Sequence, residues 1–124
     1  MNIKLKVRTV IFYKNYFQEF FLKQRTKVQE KIIWTLELIE ELPRISEVYL
    51  KHLENTDGLY EVRVQNGHNI YRIFCIFDQG QVIILMNGFQ KKSQKTPKKE
   101  IELALKIKKE YETETTQHHH PRTV

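Results

Sequence analysis

The sequence predicts an α+β fold, in which a small antiparallel sheet packs against an N-terminal helical hairpin. Apolar residues recur with helical spacing between residues 13 and 39, three β-rich runs follow between residues 59 and 89, and a last helical pattern ends at residue 111. The resulting order β-α-α-β-β-β-α groups helices and strands instead of alternating them, as α+β domains do. A chain of 124 residues has room for one domain, which we assign to residues 1–111.

The first three predicted elements are a strand and two helices. Residues 3–7 alternate apolar and basic side chains, which is typical of a half-buried strand that could extend to Phe12. Aromatic side chains between residues 13 and 21 then recur with the spacing of one helix face. Thr26 opens a sequence that resembles a capping box, so we expect a second helix to begin there and to end before Pro43.

Three β-rich runs come next, and short turn sequences separate them. The runs cover residues 59–65, 68–77 and 82–86, and the last could continue to Phe89. Asn66-Gly67 is a strong signal for a two-residue hairpin loop, and Gln79-Gly80 predicts a second one. We therefore expect an antiparallel meander, with residues 44–58 as a connection that leads into it.

These two hairpins decide which side chains share a face of the sheet. With two-residue loops, Glu61 faces Arg72, Arg63 lies diagonal to Arg72, and Lys91 reaches the same face. The three basic side chains then converge at one end of the sheet, and a slip of one residue in either hairpin would abolish that convergence. The same face is expected to carry four apolar side chains at its other end: Phe74, Ile76, Ile83 and Leu85.

Both faces of the predicted sheet are apolar, so both must be covered. The helical hairpin can cover one face, and the C-terminal helix or a partner protein must cover the other. That helix is expected to begin at Thr96-Pro97 and to end at Tyr111. We interpret residues 112–124 as a disordered tail, and the histidines at 118–120 as part of that tail rather than as a metal site.

Composition and missing motifs exclude several classes of protein. No apolar run is long enough for a membrane span, and the alternating N-terminus is unlike a signal peptide, so we expect a cytoplasmic protein. A single cysteine, Cys75, excludes a disulfide framework, and its strand position predicts a buried apolar role. The sequence lacks the phosphate-binding, dinucleotide-binding, hydrolase and zinc-protease motifs. We expect no cofactor and no metal.

The charge distribution favours a phosphate ligand. The chain has a formal net charge of +6, and residues 91–99 contain five lysines and no acidic residue. A phosphate-binding surface is one interpretation; the other is that Glu61 and Arg72 form a cross-strand ion pair beside a solvated Arg63. Acidic residues on this face are too few for a two-metal nuclease. A metal-free cut of RNA stays open, with its general base undetermined.

Three segments resemble the HigB-type branch of the RelE/ParE toxin superfamily: GLYEVR (residues 58–63), NIYRI (69–73) and, most specifically, GFQKKSQKTP (88–97). The resemblance runs from about Val7 to Tyr111. It implies the same small sheet and helical hairpin, and a toxin of a type II toxin–antitoxin pair. It further implies cleavage of mRNA in the ribosomal A site without a metal, and an antitoxin partner that often has a helix-turn-helix domain.

The resemblance also implies roles for particular residues. Arg72 corresponds to the arginine that stabilises the scissile phosphate, Arg63 to a basic residue on the preceding strand, and Lys91 or Lys92 to a basic residue after the last strand. The other expected RNA contacts are Phe89, Lys95, Lys98 and Lys99. Glu61 stands where a lysine can occur, and the candidate acids or bases are Glu61 and His68, although His68 fits a solvated turn better and His52 is only loosely placed.

Two other functions are compatible with this pattern. A ParE-like toxin would inhibit a protein target such as gyrase and would need no phosphate chemistry. A non-catalytic RNA-binding module would bind RNA with a strong salt dependence and cut nothing.

Overall fold

The computed structural model of the protein describes residues 5–119, and it has the predicted α+β fold. Its eight elements, in chain order, are β1 (Thr9–Phe12), α1 (Tyr16–Leu22), α2 (Thr26–Glu41), β2 (Leu50–His52), β3 (Tyr60–Asn66), β4 (Asn69–Asp78), β5 (Val82–Lys91) and α3 (Lys98–His119). The strands form one sheet in the order β1-β5-β4-β3-β2. All neighbours are antiparallel except β1, which pairs parallel with β5.

Helices cover the sheet on both faces, as the apolar pattern predicts. The α1–α2 hairpin packs on one face, where it meets Val62, Tyr71, Ile73, Cys75 and Leu85. The C-terminal helix α3 packs on the other face, and its Ala104 and Ile107 cover Phe74, Ile76, Ile84 and Met86. Leu103 and Leu105 of the same helix are exposed. None of the helices in residues 5–119 combines the length and the apolar character that crossing a membrane requires.

Two strands differ from the sequence prediction. Residues 5–8 form no strand, Ile3 lies outside the described residues, and the first strand is instead the suggested extension, β1. A strand of three residues, β2, lies inside the segment that we expected to be a connection, where it forms the edge of the sheet beside β3. Both strands form by pairing with strands elsewhere in the chain, and the alternation of apolar and polar residues within a short segment does not reveal such pairing.

The first hairpin turns one residue later than predicted. Asn66 pairs with Asn69, so the loop is Gly67-His68 and Gly67 has a φ of +64°. A left-handed φ suits glycine because it has no Cβ. Arg63 consequently pairs directly with Arg72 instead of lying diagonal to it. This shift displaces the pairing by two positions in total, so every side chain keeps its predicted face.

The second hairpin contains a β-bulge that the sequence analysis missed. Between the pairs Ile73–Gly88 and Cys75–Leu85, two residues of β5 stand opposite one residue of β4. On the turn side of the bulge, Ile83 and Leu85 lie on the α1–α2 face, so their predicted position with Phe74 was wrong. On the far side, Phe89 and Lys91 return to the Arg72 face.

The C-terminal helix is longer than the apolar pattern indicates, since α3 continues to His119 and residues 112–119 are helical. One polar contact lies within this extension, where Lys14 Nζ is 3.1 Å from Glu114 Oε1. Two more lie just before it: Lys14 Nζ is 3.1 Å from Glu110 Oε2, and the Tyr111 hydroxyl donates a hydrogen bond to Asp78. The predicted end at Tyr111 was wrong because these partners are charged and distant in sequence. His120 lies outside the described residues.

Candidate active site at the basic end of the sheet

Two arginines and one glutamate form the centre of the candidate site. Arg63 and Arg72 stand directly opposite each other on β3 and β4, and Glu61 lies two residues before Arg63 on the same face. Glu61 Oε1 lies 3.6 Å from Arg72 Nε and 3.7 Å from Arg63 Nε. The structure thus contains the ion pair of one interpretation, but at distances too long for strong hydrogen bonds.

The central groups are buried but incompletely satisfied. The side chains of Arg72 and Glu61 are 8% and 5% exposed, whereas that of Arg63 is 28% exposed. Among the described residues, Glu61 Oε2 and the Nε atoms of both arginines have no hydrogen-bond partner. Burial, and then the charge of Arg63, lower the pKa of Arg72. Buried polar groups without a protein partner are rare in folded proteins, and a catalytic role is one recognised reason for them.

Two lysines extend the positive cluster. Lys91 stands opposite Ile70 and thus on the Arg72 face of the sheet. Burial, and then the charge of Arg72, lower the pKa of Lys91. Lys51 of β2 pairs with Glu61, and its charge also contributes to the lowered pKa of Lys91. Lys51 was not predicted as a site residue, because a three-residue edge strand leaves almost no alternating pattern.

An open pocket of about 380 Å³ gives access to both arginines. Its other lining residues come from α2 (Lys31 and Thr35), from β3 (Val64 and Gln65) and from the segment before β2 (Val48 and Tyr49). Arg63 Nη1 donates a hydrogen bond of 3.2 Å to the carbonyl oxygen of Glu47, and Arg72 Nη1 donates one of 3.1 Å to Tyr71. The two guanidinium groups are therefore held in place beside solvent.

The remaining predicted residues divide into three groups. His68 and Lys92 are exposed and, together with Lys91, line a separate open pocket of about 650 Å³ at the hairpin end. The lysines at positions 95, 98 and 99 are exposed in the loop before α3 and in its first turn. Phe89 is 8% exposed and stacks on Phe74 at a ring-centroid distance of 5.6 Å, so it is a core residue and little of its side chain is accessible to RNA.

Other candidate groups lie away from the cluster. His52 pairs with Tyr60 on the opposite face of the sheet and contacts its ring at 5.1 Å. Cys75 is fully buried, and that burial raises the pKa of its thiol. Among the side chains that the structure describes, which end at residue 116, no three of His, Cys, Asp or Glu come together in an arrangement that could hold a metal ion.

This sheet, its covering helices and the basic cluster define a small α+β protein. A chain in the crystal structure of the archaeal RelE-RelB complex from Pyrococcus horikoshii OT3 has a similar fold, with a TM-score of 0.51 and 17% identity over 73% of this chain and 99% of that chain. The chain belongs to the Phage derived protein Gp49-like (DUF891) family, whose profile matches residues 19–109. No curated protein matches the sequence.

The family match covers every residue of the candidate site from Lys51 to Lys99. Together with the fold, it supports the broader prediction from the sequence, a RelE-type toxin. It does not single out the HigB-type branch.

Proposed function

We propose that this protein is the toxin of a type II toxin–antitoxin pair, of the HigB type, and that it cleaves translated mRNA as a ribosome-dependent endoribonuclease. The observation that carries the proposal is the gathering of Arg63, Arg72, Lys91 and Lys51 around Glu61 beside an open pocket. Four cations around one buried carboxylate fit a phosphodiester better than they fit a purely structural ion pair.

The proposed reaction is a transfer within the RNA backbone. Glu61 accepts the proton of a 2′-hydroxyl, whose oxygen then forms a bond to the adjacent phosphorus while the bond from phosphorus to the 5′-oxygen breaks. The products are a 2′,3′-cyclic phosphate and a free 5′-hydroxyl. Arg63 and Arg72 neutralise the negative charge that develops on the phosphoryl oxygens. Lys91 donates a proton to the leaving oxygen, which its lowered pKa favours.

The exposed lysines at positions 92, 95, 98 and 99 would hold the RNA backbone beyond the cleaved bond. They lie between the end of β5 and the first turn of α3, and all four are exposed. His68, on the rim of the neighbouring pocket, could contact the same strand. Contacts of this kind determine affinity and position rather than the rate of the chemical step.

The proposed partners are an antitoxin, the ribosome and mRNA, in the cytoplasm. The structurally similar archaeal chain comes from a RelE-RelB complex, which supports an antitoxin for this chain too. We expect that antitoxin to contain a helix-turn-helix domain. The proposed cleavage uses neither a metal nor a cofactor, because the side chains described above supply the base, the cations and the acid.

The test is to induce the protein in bacteria and to map mRNA 5′ ends by primer extension. The parent should arrest growth and produce new ends within translated codons, whereas Arg72→Ala should do neither. Lys109→Ala, which removes one charge from an exposed position in the second half of α3, is the matched control and should behave as the parent does. Circular dichroism checks folding, and Arg63→Ala repeats the test at a less buried position.

The same experiment separates the alternatives. A ParE-like inhibitor would induce a DNA-damage response and leave mRNA intact. A non-catalytic RNA-binding module would produce no new ends at all. A folded Arg72→Ala protein that cleaves mRNA as the parent does would refute the proposed site.

A further inference from the structure

An aromatic surface adjoins the arginine pocket, and the proposed cleavage reaction does not use it. Tyr49 lines that pocket together with Arg63 and Arg72. On its other side, the Tyr49 ring contacts the Trp34 ring edge to face, with centroids 5.8 Å apart and an interplanar angle of 72°. Tyr49 is half-buried and Trp34 is 43% exposed, so both rings are accessible from solvent.

Positive charge continues along this surface. Lys31 lines the arginine pocket, and its Nζ lies 4.5 Å from the centroid of the Trp34 ring. It also lines a second, shallower pocket of about 410 Å³ together with Lys27, Glu30, Trp34 and Asn66. Apart from Glu30, the charged residues of both pockets are basic. Cations and aromatic rings therefore lie together in two pockets that share Lys31.

Trp34 is part of neither hydrophobic core cluster of the described residues. Trp34 lies outside the buried residues of α2, which are Val28, Ile32, Thr35 and Ile39. Val48, which precedes Tyr49 in the chain and lines the arginine pocket with it, is 65% exposed. A large apolar surface that stays in water while a row of cations flanks it is typical of proteins that bind single-stranded nucleic acid, since bases stack on the rings and phosphates contact the cations.

We infer that Tyr49 and Trp34 form a base-stacking subsite, and that single-stranded RNA runs from the Arg63–Arg72 pocket across α2 toward Lys27. The inference rests on the proposed function only for the position of the cleaved phosphate. Tyr49 would stack the base nearest to that phosphate, and Trp34 would stack the next one. Lys31, which lines both pockets, would contact the phosphate between them.

Trp34 provides the measurement, because it is the only tryptophan in the sequence. Stacking of a base on an indole ring quenches its fluorescence, whereas a phosphate contact nearby does not require quenching. The full chain is titrated at low salt with a short unstructured oligoribonucleotide, and in parallel with an abasic oligomer of the same length and charge. Quenching should follow the RNA and should be largely absent with the abasic oligomer.

Variants locate the stacking. Tyr49→Ala should raise the RNA dissociation constant by about tenfold, the effect of losing one stacked base, and Tyr49→Phe should bind as the parent does. Phe12→Ala is the control, because Phe12 is an exposed aromatic residue on β1, at the opposite edge of the sheet. Equal quenching by both oligomers, absence of quenching by RNA, or unchanged affinity of folded Tyr49→Ala would overturn the inference.

These outcomes are distinct from those for the proposed function. If RNA quenches Trp34 in a base-dependent way but mRNA stays intact in cells, the subsite stands and the endoribonuclease proposal fails. If mRNA is cut but Trp34 does not respond to bases, the cleavage stands, the subsite is refuted, and the exposed rings belong to another surface such as a protein contact.

Discussion

Replacing Glu61 by glutamine tests the centre of the site, because the change removes a charge and keeps the shape. Glu61 Oε1 lies 3.6 Å and 3.7 Å from the two arginine Nε atoms. At an effective dielectric constant of about 20, two unit charges 3.6 Å apart attract by about 4–5 kcal/mol. Desolvation offsets much of that attraction, and breaking a buried pair usually costs about 3–5 kcal/mol.

We expect Glu61→Gln to lower the free energy of unfolding by about 3 kcal/mol, the lower end of that range. The value is low because Arg63 is partly exposed and can regain water, and because glutamine still offers an oxygen. The variant should bind RNA more tightly, since the site gains one net positive charge. It should nevertheless cut mRNA at least about 100-fold more slowly, the usual effect of losing a general base.

Urea unfolding of the purified proteins measures the loss of stability. Fluorescence anisotropy with labelled RNA measures the RNA affinity, and primer extension measures the cleavage of mRNA. Glu102→Gln makes the same chemical change at an exposed position of α3 and should alter none of the three. Cleavage at the parental rate by a folded Glu61→Gln protein would show that Glu61 is not the base. Unchanged stability would show that its contacts with the arginines are energetically negligible.

Two further predictions concern the elements that support the site. A Cβ on Gly88 would lie 2.6 Å from Phe20 Cδ2, so Gly88→Ala should destabilise the fold by about 1–3 kcal/mol in thermal unfolding. Adding Phe20→Leu to the Gly88→Ala chain should recover part of that loss of stability. If the effects of the two substitutions on stability are strictly additive, the contact does not exist as described. The Tyr16 hydroxyl, and then Lys14, lower the pKa of Glu110 below its ordinary value of 4.5. The stabilisation from Glu110 is therefore complete above that value and disappears as the pH falls through the lowered pKa. In a plot of unfolding midpoint against pH, Glu110→Gln should make the decline at acidic pH less steep. An unchanged decline would contradict this role of Glu110.

Much of the fold could be predicted because local periodicity reports burial. The helix over Thr26–Glu41 and the strands β3 to β5 follow from apolar spacing and turn residues. Two features could not be predicted. The strand β1 forms by parallel pairing with a distant strand, and the bulge in β5 coincides with close packing of Phe20 on Gly88. Both depend on tertiary contacts, which a single sequence does not display.

The candidate site was predictable to the extent that it depends on which face a side chain occupies. In the first hairpin the residue pairing differs from the prediction by two positions, which leaves every side chain on its predicted face. Arg63 and Arg72 therefore still lie next to each other. Lys91 reaches them with help from a bulge that nothing in the sequence indicated. Lys51 and Tyr49 were missed because a short edge strand and the loop before it bring them to the site.

The direct pairing of Arg63 with Arg72 has a thermodynamic consequence for the whole molecule. Like charges placed opposite each other on neighbouring strands oppose folding, and one carboxylate at 3.6–3.7 Å compensates them only in part. Any polyanion that fills the gap must raise the melting temperature, by an amount set by its concentration relative to its dissociation constant. A free polyanion concentration of about 100 times the dissociation constant raises the free energy of unfolding by about 2.7 kcal/mol. Simple thermal melts could therefore rank RNA sequences and small anionic inhibitors before any assay of growth or cleavage exists.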